Sequence, residues 1–405
     1  MEQRHLTMAA AAALMSATAV VGYLMFVRKP KKSRASRGEE QRALVDLVRQ
    51  NVRDLTPYRC ARDDYSGGTL LDANENSIGP ALAPSKLEMD VSKLDLNRYP
   101  DPYQLEVKTL LAEMRGVRPE QIFVGVGSDE AIDLLIRVFC RPGKDSILVT
   151  PPTYKMYQVC ADVNDVQVQM VPQTPQFEVV ASEVIRAATP STKLVFLCSP
   201  GNPTGKALPL SVVRDVVLGG FDGIVVVDEA YVDFSNSAES ACSLIHELDR
   251  VVVLQTMSKA FGMAAIRMGM AYGNEQIIHF MNKVKAPYNV NRLTQELAVK
   301  ALSDRALFHE QINTILEERT RLQEALRSYS FVREVKESDA NFFLVQVDHA
   351  HEIYKRMAGK GVVVRYRGNE LHCKDCLRIT VGTPEENNRL LELLQETVAE
   401  ILAAS

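Results

Sequence analysis

Short apolar runs bounded by turn residues recur through the middle of the chain. They are rich in β-branched residues, which is typical of parallel strands buried on both faces. We predict strands at residues 122–126, 147–150, 194–197, 224–227, 251–254 and 268–272. Helical patterns lie between several of them, over residues 129–140, 154–162, 179–188, 210–217 and 274–284. This alternation predicts an α/β fold in which helices flank both faces of a sheet.

The pattern changes after residue 290. A long helical periodicity runs from about 291 to 328, and strands at 341–347 and 376–381 and helices at 349–358 and 384–402 follow it. Before the strands, residues 42–54 have the pattern of a short amphipathic helix. We therefore predict an N-terminal arm (42–97), a large domain (98–290), a connecting helix (291–330) and a smaller α/β C-terminal domain (331–405).

The first 41 residues differ from the rest of the chain. Residues 8–27 carry no charge and would form a hydrophobic helix about 30 Å long, which is enough to cross a bilayer core. Seven basic and three acidic side chains lie in residues 1–41, and six of the basic ones follow the apolar run as a linker. By the positive-inside rule, the C-terminal side then faces the cytosol.

The predicted arrangement is a cytosolic catalytic body tethered by residues 8–27 to the mitochondrial outer membrane or the endoplasmic reticulum. A secretory signal would carry its charge before the apolar run, and a transit peptide would have a polar face. Two other interpretations stay open, an unusual targeting signal and a start codon that does not represent the natural protein.

Composition excludes several protein classes. The 405 residues are 46% hydrophobic and 24% charged, which is the balance of a globular protein. A net charge of −4 excludes a nucleic-acid-binding polycation. Seven dispersed cysteines indicate a reducing compartment rather than a disulfide framework. Cys373 and Cys376 form a C-x-x-C pair without a second pair at zinc-finger spacing, so we predict plain thiols and no metal.

Polar residues follow the predicted strands, where open α/β sheets bind ligands. Gly125, Gly127, Ser128 and Asp129 join a strand to a helix, and free N–H groups at such a helix start suit a phosphate. A tight turn is an equally good interpretation of this segment alone. Next along the chain, the prolines and glycines of residues 199–205 fix a rigid turn that holds Asn202.

Two further strand ends carry charge. Asp228 ends the run IVVV and would be neutral there unless it met a cation, although it could instead cap a helix. Lys259 follows Ser258 after another strand, and Arg267 comes eight residues later. A lysine buried at such a site becomes a good amine nucleophile.

Pyridoxal phosphate needs all these groups together. It requires a lysine for its aldehyde, a carboxylate for its ring nitrogen, a partner for its ring oxygen and a phosphate cup. In that order, Lys259, Asp228, Asn202 with Tyr231, and the Ser128–Asp129 turn with Ser258 and Arg267 meet the four needs.

The chain resembles the histidinol-phosphate aminotransferases, which are fold-type I enzymes of the aspartate aminotransferase superfamily. The shared cofactor segments include PPTY (151–154), SPGNPTG (199–205), VDEAY (227–231) and SKAFGMAAIR (258–267). More specific to this family are ANEN (73–76), NRYP (97–100) and LRITVGT (377–383). Ala265 replaces a family glycine near the phosphate cup. The resemblance implies a mostly parallel seven-stranded sheet in the large domain.

The resemblance also implies roles. Amino transfer between glutamate and imidazole-acetol phosphate would give histidinol phosphate and 2-oxoglutarate in L-histidine biosynthesis, by a ping-pong route through a Lys259 aldimine. Tyr154 would stack on the cofactor ring. Tyr99 would reach the cofactor phosphate of a neighbouring subunit, which makes the active unit a homodimer.

We predict that residues other than those of the cofactor site bind the substrate. Arg365 and Arg378 are two guanidinium groups suited to a phosphate or a carboxylate, although Arg365 could also form a structural salt bridge. Tyr58 and Asn76, on the arm, would close the pocket over the substrate.

Three alternatives remain open. One is an aromatic amino-acid aminotransferase of the same fold, and another is an amino-acid-phosphate decarboxylase. The third is a membrane-tethered binding protein on an inactive enzyme fold, against which the presence of Lys259, Asp228 and Arg267 speaks.

Overall fold

The computed structural model describes residues 44–56, 65, 67–88 and 90–404. The chain divides into the units Met1–Arg49 and Gln50–Ser405. The described part of the first unit contains a 3-10 turn, Leu44–Leu47. The predicted hydrophobic helix at residues 8–27 lies outside the described residues. Within the described ranges, no helix combines the length and the apolar character needed to cross a membrane.

The second unit contains the strands and the α-helices. The strands are β1 (Thr69–Leu70), β2 (Ile122–Gly125), β3 (Ser146–Val149), β4 (Gln167–Met170), β5 (Thr192–Cys198), β6 (Ile224–Asp228), β7 (Val251–Thr256), β8 (Gly269–Gly273), β9 (Val332–Val335), β10 (Phe342–Val347), β11 (Val362–Val363), β12 (Arg365–Tyr366) and β13 (Cys376–Thr380). The helices are α1 (Gln50–Arg53), α2 (Pro84–Leu87), α3 (Leu105–Arg115), α4 (Gly127–Phe139), α5 (Met156–Val163), α6 (Ala181–Ala187), α7 (Leu210–Leu218), α8 (Glu275–Val284), α9 (Arg292–Leu302), α10 (Arg305–Arg327), α11 (Ala350–Gly359) and α12 (Pro384–Ala404).

The large sheet has seven strands in the order β2-β8-β7-β6-β5-β3-β4. β8 runs antiparallel to both of its neighbours, β2 and β7, and the other neighbouring pairs are parallel. Alternate residues of each central strand enter two different cores. In β5, for example, Val195 and Leu197 belong to one core, and Leu194 and Phe196 belong to the other. Burial on both faces explains why the strands read as unbroken apolar runs.

A second sheet is antiparallel, with the order β12-β13-β10-β9. In addition, β1 pairs in parallel with β11, and so joins the chain near residue 70 to that near residue 362. These pairings bring β12 and β13 to the same cavity as the ends of β5, β6 and β7.

All six strands predicted for the large sheet are present, and the central α/β prediction is confirmed. The predicted helix over 291–328 is wrong in one respect, since α9 and α10 are separate and break at Ser303 and Asp304. No single helix covers the described part of 42–54, where the second unit begins with the one-turn α1. The predicted strands missed β4, whose residues are half-exposed or exposed and therefore lack an apolar run.

Candidate active site

A cavity of about 450 Å³ opens at the carboxyl ends of β5, β6 and β7. Its walls come from strand ends of the large sheet, from residues 72–74 and from the antiparallel sheet. The structure brings together eleven of the predicted site residues in this wall: Ser128, Asp129, Tyr154, Asn202, Asp228, Tyr231, Ser258, Lys259, Arg267, Arg365 and Arg378.

Asp228 is the last residue of β6 and is 3% exposed. One carboxylate oxygen accepts a hydrogen bond from the hydroxyl of Tyr157 at 2.6 Å, and the other accepts one from the backbone N–H of Ala230 at 3.2 Å. Burial raises the pKa of Asp228 to about 6, although both hydrogen bonds oppose this increase. A cation in the cavity would favour the ionised form.

Tyr231 and Asn202 lie beside Asp228. The Tyr231 hydroxyl accepts a hydrogen bond from the side-chain amide of Asn74 at 3.0 Å, which leaves its own proton available for donation. Burial raises the pKa of Tyr231 to about 12, so this hydroxyl keeps its proton at neutral pH. Asn202 uses its side-chain oxygen to accept a hydrogen bond from Arg378 at 2.6 Å.

Lys259 reaches the cavity from the turn after β7. Its amine donates a hydrogen bond to the carbonyl of Ala73 at 2.9 Å and lies 5.6 Å from the ring centre of Tyr231. Burial and the charge of Arg378 lower the pKa of Lys259 from 10.5 to about 8. The neutral amine, which is the nucleophilic form, is therefore populated near neutral pH.

The first turn of α4 lies at one corner of the cavity. Ser128 and Asp129 lie there beside Ser258 and Arg267. Gly127 has φ +74°, and a Cβ atom at this position would lie 2.7 Å from a guanidinium nitrogen of Arg267. Free N–H groups of a helix start, a hydroxyl and a guanidinium group are the donors that bind a phosphate.

Arg378 is 3% exposed and points into the cavity from β13. It donates to Asn202 and to the carbonyl of Asp72, while its Nε has no hydrogen-bond partner among the described residues. Burial lowers its pKa to about 9. Arg365 lies directly opposite Arg378 on the neighbouring strand β12, so two positive groups line one wall.

Tyr154 supplies an aromatic surface. Its hydroxyl donates to Asp129 at 3.1 Å, and its ring meets that of Tyr157 edge-on with 5.6 Å between ring centres. A flat ligand ring can stack on such a surface.

Three predicted residues are not part of the described cavity wall. Tyr99 is 80% exposed and stacks on Tyr288 with 4.4 Å between ring centres. Asn76 is buried away from the cavity, where its amide donates to the carbonyl of Ala260 and accepts from the N–H of Ile78. Tyr58 lies outside the described residues.

Other polar residues of the site were missed by the sequence analysis. Asn74 stands two positions before Asn76 in the same ANEN segment, and Tyr157 follows Tyr154 by three. Arg367 lines the cavity together with Arg365, because strand positions two apart share a face. Glu370 also lines it and forms an ion pair with Lys155 at 3.0 Å.

The C-x-x-C pair lies in the interior. Cys373 and Cys376 are at most 2% exposed, and burial raises their pKa values to about 12 and about 11. Across the part of the chain that the structure covers, no group of three or more His, Cys, Asp or Glu side chains could hold a metal ion.

The family model for aminotransferase class I and II matches residues 66–394. A histidinol-phosphate aminotransferase of Parabacteroides distasonis is 46% identical over 354 residues, which cover 87% of this chain and 98% of the relative. A histidinol-phosphate aminotransferase of Saccharomyces cerevisiae is 43% identical, and the match covers 88% of this chain and 98% of the relative. The chain belongs to the histidinol-phosphate aminotransferase family. A solved family structure from Sinorhizobium meliloti, in complex with pyridoxal-5'-phosphate, has the same fold, with a TM-score of 0.77 and 23% identity over 87% of this chain and 98% of that one.

Enzymes of this histidinol-phosphate aminotransferase family depend on pyridoxal phosphate. The cavity of this family member fits that group. It offers a carboxylate, Asp228, for a protonated ring nitrogen and an amine, Lys259, for an aldehyde. Gly127 packs closely against Arg267 at a corner that would suit the phosphate, and the hydroxyl of Thr153 has no hydrogen-bond partner among the described residues and could donate there.

Proposed function

We propose that this protein transfers the amino group between glutamate and imidazole-acetol phosphate, giving histidinol phosphate and 2-oxoglutarate in L-histidine biosynthesis. The single observation that carries the proposal is the cross-strand pair Arg365–Arg378 in one cavity with Lys259 and Asp228. Identity of 46% to a histidinol-phosphate aminotransferase over almost its full length supports the same reaction.

When bound, pyridoxal phosphate supplies a carbonyl carbon that accepts the amino group and a ring that takes up electron density from the substrate. Lys259 would bind the cofactor through its amine and, once released, move a proton to or from the substrate α-carbon. Asp228 would hold the ring nitrogen protonated. Both roles match the environments of these groups, since the amine has a lowered pKa and the carboxylate is buried with neutral hydrogen-bond donors.

The remaining cofactor contacts follow from position. Tyr231 and Asn202 would donate hydrogen bonds to the ring oxygen, and Tyr154 would stack on the ring. The corner formed by Ser128, Asp129, Ser258 and Arg267 would bind the phosphate through hydroxyl, backbone N–H and guanidinium donors.

We propose that the arginine pair serves both halves of the ping-pong reaction. Arg365 and Arg378 would bind the phosphate of histidinol phosphate in one half and a carboxylate of glutamate in the other. Tyr58 remains a proposed substrate contact from the arm. Asn76, whose amide is used on the backbone, would hold the arm in place for that contact.

We further propose that the protein is a homodimer. Each subunit would consist of an N-terminal arm (42–97), a large domain (98–290), a connecting segment (291–330) and a small domain (331–405). The two sheets fall within the proposed domains, at 122–273 and 332–380. Tyr99 is exposed on its own subunit, which suits a contact with the cofactor phosphate of a partner.

We propose that residues 1–41 anchor the protein to a membrane and leave the catalytic body in the cytosol. This proposal rests only on the apolar run and the basic residues that follow it. Fractionation of cells that express full-length and 42–405 forms tests this. Only the full-length form should sediment with membranes and resist carbonate extraction, and equal extraction of both would refute the tether.

The proposed reaction is tested with purified protein and pyridoxal phosphate. Histidinol phosphate should shift the visible absorption of the bound cofactor to that of its amino form, and 2-oxoglutarate should reverse the shift with formation of glutamate. Lys259→Ala, the matched control, should show neither change.

Other outcomes identify the alternatives. A shift with tyrosine or phenylalanine but not with histidinol phosphate would indicate an aromatic amino-acid aminotransferase. Release of carbon dioxide from an amino-acid phosphate would indicate a decarboxylase. A folded protein that gives no cofactor band would indicate a binding protein and refute the enzyme.

A further inference from the structure

Tyr157 is a buried tyrosine that does not belong to the cavity wall. It lies in α5 and is 0% exposed, with its ring stacked on Phe196 at 4.7 Å between centres. From this position its hydroxyl reaches behind the wall to Asp228, to which it donates at 2.6 Å. The aromatic packing fixes the ring, so the hydroxyl has a defined position relative to the carboxylate.

The hydrogen bond acts on a carboxylate that burial disfavours. Each oxygen of Asp228 accepts one hydrogen bond, from Tyr157 and from the N–H of Ala230. Of these two, the bond from Tyr157 has the larger effect in lowering the pKa of Asp228 against the increase caused by burial. A donor to a carboxylate stabilises its charged form.

Other titratable groups around Asp228 do not replace this donor. Burial raises the pKa of Tyr157 itself and that of Cys198, so both stay protonated. The negative charge of Asp129 raises the pKa of Asp228, and the amine of Lys259 lowers it by a smaller amount than Tyr157 does. Tyr154 donates its hydroxyl proton to Asp129, and among the described hydrogen bonds the hydroxyl of Tyr231 accepts from Asn74 and does not donate to Asp228.

We propose that Tyr157 is a positioning residue that keeps Asp228 charged and in one orientation for the protonated ring nitrogen of the cofactor. This inference rests on the proposed function, because it requires that pyridoxal phosphate bind in the cavity. Tyr157 touches neither cofactor nor substrate and acts only through Asp228.

Replacement of the hydroxyl tests the proposal. Tyr157→Phe keeps the ring stacked on Phe196 and removes only the donor. Full-length enzyme stripped of cofactor is titrated with pyridoxal phosphate and, separately, with the analogue whose ring nitrogen is replaced by carbon. We expect the variant to bind pyridoxal phosphate at least about tenfold more weakly, as for loss of a hydrogen bond to a charged group, and the analogue as the wild type does.

Two further variants separate electrostatics from packing. Tyr272→Phe changes another fully buried tyrosine and should alter the affinity neither for pyridoxal phosphate nor for the analogue. In an Asp228→Asn background, Tyr157→Phe should have no additional effect, since a residue that acts through Asp228 loses its influence with that charge. If Tyr157→Phe does not fold, 3-fluorotyrosine at position 157, a stronger donor, should tighten the binding of pyridoxal phosphate only.

Equal losses for the two ligands would overturn the proposal and leave Tyr157 a packing role, as would unchanged affinity for both. Wild-type protein that binds neither ligand would overturn the proposed function itself. Failure of the inference and failure of the function therefore give different results.

Discussion

Arg365 and Arg378 lie directly opposite each other on the antiparallel strands β12 and β13. Like charges at such a cross-strand pair destabilise a sheet. Here the buried member, Arg378, also retains an Nε without a hydrogen-bond partner among the described residues. The local conflict is resolved if an anion binds between the two groups, because it would neutralise the repulsion and use the remaining donors.

The arginine pair should contribute more to substrate binding than to stability. For Arg365→Gln we expect KM for histidinol phosphate to rise about 10- to 100-fold, the range for loss of a charged hydrogen bond. The free energy of unfolding should stay equal or increase, because repulsion with Arg378 is removed. Steady-state kinetics and denaturant unfolding measure both quantities. Arg250→Gln, on an exposed ion pair with Asp222, is the control and should leave KM unchanged. Unchanged KM in Arg365→Gln would contradict the assignment.

Asn74 should control the direction in which Tyr231 donates. Asn74→Asp keeps the shape and tolerates the backbone φ of +55°, but the new carboxylate accepts the tyrosine proton instead of donating to its oxygen. Because the hydroxyl then points away from the cofactor, we expect kcat to fall about tenfold. Rapid-kinetic assays measure this change. Asn282→Asp is the control, since the amide of Asn282 donates to the carbonyl of Ile278. Equal effects of the two changes would argue against this role.

Lys259 should destabilise the cofactor-free protein below pH 8. Its pKa is lowered from 10.5 to about 8, so the unfolded chain binds more protons between these values. The free energy of unfolding therefore rises as the pH rises through this window. At pH 7 we expect Lys259→Met to be about 3 kcal/mol more stable than the wild type, with the difference vanishing by about pH 10.5. Denaturant unfolding of both proteins across this pH range measures the difference in stability. A difference that does not change with pH would show that the lowered pKa of Lys259 is not its cause.

Mixed dimers should reveal whether Tyr99 serves the partner subunit. Tyr99→Ala and Lys259→Ala homodimers each lack one site component. If Tyr99 acts across the interface, a mixed dimer contains one complete site, and random mixing should restore about a quarter of the wild-type activity. Activity after co-refolding of the two variants is the measurement. Each variant refolded alone gives the baseline, and recovery no higher than the mean of these two baselines would place Tyr99 outside the partner's site.

The carboxylate next to Asp228 should matter for stability. Glu229 is 3% exposed and accepts hydrogen bonds from Ser240, Gln255 and the N–H of Ala241. Glu229→Ala removes the charged acceptor that these three donors share, and we expect a loss of about 3 kcal/mol in the free energy of unfolding. Denaturant titration tests it against Glu178→Ala, which removes an exposed ion pair and should cost less than about 1 kcal/mol. Similar losses of unfolding free energy in the two variants would show that the buried contacts of Glu229 contribute little to stability.

The main strands and helices could be predicted because their patterns are local. An apolar run such as 224–227 requires burial on both faces wherever it is placed, and a polar residue at its end must lie at a sheet edge. Short pairings escaped prediction, since β1 and β12 have two residues each and carry no periodic signal. The break at Ser303 and Asp304 escaped as well, because polar residues are also common on the exposed face of a continuous helix.

The candidate site divides in the same way. Lys259, Asp228, Asn202 and Arg267 stand in recognisable segments, so their types and spacing indicated the cofactor. The sequence predicts Asn76 as the pocket residue of this segment, but of the two asparagines it is Asn74 that reaches Tyr231. Both residues belong to the same motif, and only the folded structure shows that the amide of Asn74, whose backbone is left-handed, bonds Tyr231 while that of Asn76 bonds the backbone.

By itself the sequence determined the fold class, the family and the chemical groups available for catalysis, because hydrophobic periodicity and residue type are properties of single segments. The tertiary structure alone decided which groups meet. Arg378 faces Arg365 through strand pairing, and Tyr157 reaches Asp228 across two separate elements. Burial at these meeting points lowers the pKa of Lys259 and raises that of Asp228, since desolvation depends on the packed surroundings and not on neighbours along the chain.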